Sequence, residues 1–193
     1  MLQIITQTQK VDSRFAPALQ ARLQAALDEM QNFIASRPKT PESSALTHAR
    51  IHLAKVALLL QKDIEVVLMS QAQMRRLNAE FMGKDYATDV LSFPLAPLEI
   101  VGDKRALTLE VPLGSIAINL PLAQKISKQH AHSLCDELCL LFLHGLLHLL
   151  GFDHESDGGE HRALESKLLQ TLALPQSLID RTLTPPHKYM RRI

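Results

Sequence analysis

Three histidines set within eleven residues constrain this chain more than any other feature. In the run His144-Gly145-Leu146-Leu147-His148-Leu149-Leu150-Gly151-Phe152-Asp153-His154, the leucine-rich first half reads as a buried helix. His144 and His148 then lie four apart on one helical face, with their Cβ atoms roughly 5–6 Å from each other. Gly151 falls where such a helix would end, and a glycine there can take the left-handed conformation that reverses the chain. His154 can thus return over the same face as a third imidazole. Three neutral imidazoles leave one coordination position open, the pattern of catalytic rather than structural zinc sites. The plain alternative, a hydrogen-bonded core histidine on an apolar helix, does not account for the spacing of all three with a glycine between the last two.

The same spacing matches the metzincin peptidase pattern H-E-x-x-H-x-x-G-x-x-H at each histidine and at the glycine, but Gly145 stands where those peptidases carry their general-base glutamate. A glutamate restored at that position is expected to lie beside the ion. Without it, peptide hydrolysis would need another acid, such as Glu137 or Glu155, moved into the base position.

Around this stretch the chain is ordinary. Its 193 residues, 46% of them hydrophobic, suffice for one sizeable core, so residues 1–193 are read as one domain, with a net charge of +1 that supplies no global field for nucleic acid. The two cysteines, Cys135 and Cys139, fall one helical turn apart and are read as packing residues, which suits a reducing compartment. No basic stretch followed by a sustained apolar run opens the sequence, and the apolar run from Leu138 to Phe152 is shorter than the roughly 20 residues that span a bilayer. A cytoplasmic protein with no membrane partner is expected.

Along the chain, residues 1–63 predict a strand at Gln3 to Gln7 and two helical runs, Phe15 to Ile34 and Ala45 to Gln61, separated by a Pro38/Pro41 loop. His48 and His52 repeat the four-residue spacing but lack a third ligand, and are read as solvated or capping. Ile64 to Ser70 is a buried strand, and Ser70 caps a helix from Gln71 to Phe81. Val90 to Pro94 reads as a strand whose proline marks an end or an exposed edge, a surface along which an extended substrate could lie. Leu107 to Val111 is a candidate hairpin arm and Ser115 to Leu120 another strand. Pro121 suits the first turn of a helix reaching His130, and Ser133 with Asp136 starts the histidine-bearing helix. Gly158-Gly159 opens a last helix, on which His161 is expected at the surface. Residues 181–193 form a basic tail, with Arg181, Lys188, Arg191 and Arg192, that could touch phosphate or remain solvated. Strands among helices without a steady βαβ rhythm predict an α+β fold: one small mixed sheet packed against several helices, with the histidine-bearing helix at the centre.

Two blocks give this chain a specific likeness. Asp136-Glu137-Leu138 precedes His144 through His154, and upstream stand Leu77-Asn78, Phe81, Gly83-Lys84-Asp85 and Thr88-Asp89-Val90-Leu91-Ser92-Phe93-Pro94. In both, the sequence resembles the YbeY family of bacterial metal-dependent endoribonucleases of ribosomal RNA maturation, over roughly Ile64 to Leu172. The resemblance implies the α+β fold, one Zn2+ held by His144, His148 and His154, and RNA as partner, specifically ribosomal RNA or the small ribosomal subunit. Two positions depart from the family pattern: Met82 replaces an arginine and Ser115 an aspartate. An arginine would bind phosphate through a planar fork that a thioether lacks, which moves the cationic role to Lys84. Asp153 either orients a ligand imidazole or caps the turn. The leading expectation is therefore a zinc-dependent endoribonuclease acting in ribosomal RNA maturation and ribosome quality control, with Lys84 and Asp153 assisting. The alternatives are a zinc peptidase or amidase, and a non-catalytic ribosome-assembly factor with a structural zinc.

Overall fold

The computed structural model describes residues 2–6, 15–36, 42–95 and 111–175. The hairpin arm expected at Leu107 to Val111 lies outside these apart from Val111, which is in no strand, and the basic tail lies outside them entirely. The elements run β1 (Leu2–Thr6), α1 (Phe15–Ala35), α2 (Ser44–Val56), a 3-10 turn (Ala57–Gln61), β2 (Ile64–Met69), α3 (Gln71–Met82), β3 (Val90–Pro94), β4 (Gly114–Asn119), α4 (Leu120–Gln129), α5 (Leu134–Leu149) and α6 (Glu160–Thr171). The second helical run is thus shorter as α-helix than its periodicity suggests, because its end tightens into the 3-10 turn that drives Leu59 and Leu60 into the core.

The sheet order is β1-β2-β4-β3. β1, β2 and β4 are parallel, and β3 runs antiparallel to β4 with Val90 opposite Ile118 and Pro94 opposite Gly114. β3 is therefore an edge strand, as its proline requires. Strand alternation sorts the two faces. Ile64, Val66, Leu68, Ile116 and Ile118 are buried on the side of α5, while Glu65 and Ser115 lie on the other face. α5 lies against β3 and β4 and contacts α1, α4 and α6 on its remaining sides. Every residue of it from Glu137 to Leu147 is buried, which explains a run too apolar for an amphipathic surface helix. No helix among the described residues is long and apolar enough to cross a membrane.

Candidate metal centre

α5 begins where Ser133 Oγ accepts the Asp136 amide at 3.0 Å, a cap that satisfies one otherwise orphaned donor. Its far end is held by a reversal in which Gly151 takes a φ of +84° and the Phe152 amide donates to Leu147 O at 3.0 Å. That left-handed conformation is open to glycine with little strain. His52, from α2, completes the end: its Nε2–H donates to Leu150 O at 2.8 Å and its ring meets Phe152 edge-on at 4.7 Å. Of the two readings of His52, capping is what the structure shows, while His48 has an exposed side chain 3.4 Å from Glu160 Oε1.

The reversal brings His154 back over α5, with its ring centroid 5.2 Å from those of both His144 and His148. One nitrogen of each ring lies within 4.8 Å of the others. His144 Nε2 and His148 Nε2 are 3.2 Å apart, and two ligands each 2.0–2.1 Å from a tetrahedral zinc are about 3.3 Å apart. The donor set thus fits a small divalent cation. Burial, followed by the neighbouring imidazoles, lowers the pKa of His148 from 6.5 to about 4, so at neutral pH it is in the uncharged form that can ligate.

Two residues at this centre escape a reading by spacing. Glu165, fully buried on α6, accepts the His144 Nδ1–H at 2.9 Å. That bond fixes the tautomer and leaves Nε2 as the free lone pair, the usual role of a carboxylate behind a metal-binding imidazole. Its signal in the sequence was an acid on the apolar stripe of Leu164, Leu168 and Leu172. His161, expected at the surface, is instead fully buried, because α6 turns its 161-164-165-168 stripe toward α5 and α2. Its ring lies 4.8, 4.9 and 5.2 Å from those of His144, His148 and His154, and neither ring nitrogen has a hydrogen-bond partner among the described residues.

The histidines open into a cleft of about 890 Å³ lined also by Asn78, Met82, Lys84, Tyr86 and Arg162. Lys84, Met82 and Tyr86 are exposed there. Asp153 lines it too, but its carboxylate oxygens accept the Glu155 amide at 3.1 Å and Ser156 Oγ at 2.6 Å. These bonds, Ser156 foremost, hold its pKa below the usual range and tie it to the turn, while Glu165 is the carboxylate bonded to the His144 imidazole. Glu155 lines the cleft, whereas Glu137 is buried against His132, whose Nε2–H it accepts at 2.6 Å. Ser115 Oγ donates to Glu65 Oε2 at 2.7 Å on the far face of the sheet, away from the histidines. A Cβ on Gly145 would point at Ile116 and Ser92 in the sheet, so a glutamate there would not begin toward the ion as the peptidase comparison suggested. A second depression, of about 800 Å³ on the outer face of α3, holds the exposed Arg75–Asp85 pair and no histidine. Both cysteines are free, and burial pushes the Cys139 thiol up to about 12, which leaves it inert.

Residues 26–173 match the family model described as Endoribonuclease YbeY. The chain belongs to the YbeY family. Its relatives include a protein named Endoribonuclease YbeY from Helicobacter pylori strain Shi470, 49% identical over 133 residues that make up 68% of this chain and 88% of the relative. The protein of the same name from Nautilia profundicola is 49% identical over 64% of this chain and 82% of its own length. The one from Campylobacter jejuni strain RM1221 is 44% identical over 66% and 87%. The solution structure of TM1509 from Thermotoga maritima covers all of both chains at 18% identity and a TM-score of 0.49. The YbeY match takes in α2, His52 and the whole histidine cluster with Glu165, and so reaches well upstream of the Ile64 to Leu172 span that the two motif blocks mark.

Proposed function

We propose that this protein is a metal-dependent endoribonuclease of the cytoplasm that cleaves phosphodiester bonds of ribosomal RNA during maturation of the small subunit, with zinc held by His144, His148 and His154. The observation that carries this reading is the paired Nε2 atoms of His144 and His148, 3.2 Å apart, at the floor of a cleft that also holds Lys84 and Arg162. The name borne by the YbeY relatives supplies RNA as the substrate class. When bound, zinc supplies a nucleophile at neutral pH and a Lewis acid for a phosphoryl oxygen.

The chain's own residues do the rest. Glu165 holds His144 in one tautomer and aims its Nε2. Lys84 and Arg162 offer the cationic contacts for phosphate. Tyr86, exposed in the cleft, offers a face on which an unpaired base can stack. Asp153 braces the turn that delivers His154. Four carboxylates, Asp89, Asp153, Glu155 and Asp157, face these two cations. A lining of that balance repels RNA until a divalent cation offsets it, so RNA binding itself should depend on the metal. For the peptidase reading, Gly145 faces the sheet and Glu137 is engaged with His132, so its base would have to be Glu155, which lines the cleft. The test is His148→Ala, scored by elemental analysis and by cleavage of single-stranded RNA. Loss of cleavage and a lowered metal content are expected; a variant that cleaves at the wild-type rate, or a wild type that cleaves fully in excess chelator, would overturn the assignment.

A further inference from the structure

His161 is fully buried at the centre, and neither of its ring nitrogens has a hydrogen-bond partner among the described residues. Leaving two ring nitrogens buried and unpaired is costly, so such a group normally has a role that supplies the missing partner. Its position says what that partner is. Nitrogen ligands 2.0–2.1 Å from a tetrahedral zinc put imidazole centroids about 3.2 Å from the ion and about 5.2 Å from one another. The six centroid separations among His144, His148, His154 and His161 are 4.9, 5.2, 4.8, 5.2, 4.9 and 5.2 Å. Four rings related in this way surround a single point at nearly equal distances.

We propose that His161 is a fourth imidazole of this centre, so that the resting ion has four nitrogen ligands. This rests on the metal reading above. As it stands, a His161 nitrogen sits within 4.8 Å of both a His144 nitrogen and a Glu165 oxygen. Rotation about its Cβ–Cγ bond chooses which edge of the ring faces the centre, and no hydrogen bond among the described residues fixes that rotation. The position that spacing left open to substrate is then closed by α6. An RNA phosphate would reach the ion only if His161 gave up that position or the ion took a fifth ligand, and the first turn of α6 carries both His161 and Arg162.

The test counts ligands and needs no turnover. X-ray absorption of the zinc-loaded wild-type protein should fit four imidazoles and no oxygen. The cobalt(II)-loaded protein should have d–d bands that azide does not shift. In His161→Phe the count should fall to three imidazoles and one oxygen, the cobalt bands should become azide-sensitive, and zinc affinity should drop tenfold or more in competition with a chromophoric chelator. Three imidazoles and an oxygen in the wild type, or two ions per chain, would overturn the proposal, and the wild-type count stands even if the variant does not fold. The double variant His148→Ala/His161→Phe separates the two readings, since it leaves two imidazoles: if it retains the ion, the histidine site itself has failed, and if it loses the ion while His161→Phe alone leaves both count and spectrum unchanged, only the role of His161 has.

Discussion

Replacing Gly145 by alanine isolates the contact that seats the histidine-bearing helix on the sheet. Alanine is the better helix former by about 1 kcal/mol, so propensity alone predicts a more stable protein. The space argues otherwise. A Cβ at 145 would stand 2.9 Å from Ile116 Cγ2, 2.9 Å from Ser92 Oγ and 3.4 Å from Val90 Cγ2, against a comfortable carbon separation of about 3.5–4.0 Å. Ile116 is fully buried in the middle of β4, and its β-branched methyl has little freedom to rotate away. Ser92 Oγ could turn aside only by giving up its 3.0 Å bond to Gly145 O, worth about 1 kcal/mol. Overpacking typically costs about 1–3 kcal/mol, so the lost hydrogen bond roughly cancels the propensity gain and the net loss is about 1–3 kcal/mol. For a domain of this size that is a fall of about 2–4 °C in Tm per kcal/mol. The assay is urea and thermal unfolding of the metal-free protein, followed by circular dichroism. A Gly145→Ala variant as stable as the wild type, or more so, would refute the close-packing argument. Gly145→Glu meets the same atoms with a longer and charged side chain, and should give a misfolded protein, not a peptidase.

Other consequences can be checked directly. Glu165→Gln keeps an acceptor for His144 but removes its charge, and should weaken zinc binding roughly tenfold, the lower end of what loss of such a supporting group costs, as read by chelator competition. Met82, exposed at the cleft rim, can be replaced by arginine; affinity for single-stranded RNA should rise and the slope of log K against log salt steepen by about 0.7, whereas an unchanged slope would place residue 82 off the RNA path. His148 and His161 have folded pKa values lowered from 6.5 to about 4, by burial first. The unfolded chain therefore takes up their protons first, and the stability these rings contribute is full above about pH 6.5 and lost as pH falls toward about 4, by up to about 3 kcal/mol for the fully buried His161 and by less for the partly exposed His148. Denaturant midpoints of the metal-free protein that stay flat between pH 7 and pH 4 would contradict this.

The sequence by itself determined what depends on near neighbours. The four-residue spacing of His144 and His148, the left-handed turn at Gly151, the serine caps at Ser70 and Ser133 and the edge position forced by Pro94 are each set within a few residues, by helix period, glycine sterics, a hydroxyl acceptor or a missing amide. All of them stand in the structure at the positions read from the chain. Tertiary structure decided what depends on which surface an element meets. Gly145 looked like a vacated catalytic position and proves to be where α5 touches β3 and β4. Ser115 stands where the family pattern has an aspartate, and strand alternation turns it to Glu65 on the face away from the histidines. His161 and Glu165 reach the centre only because α6 packs its inner stripe on α5 and α2, and His52 caps α5 from 98 residues away. A residue's spacing to its neighbours fixes the face of its own helix or strand on which it lies, but which other element covers that face is settled by the packing of the whole core, and no local interaction in the chain encodes it.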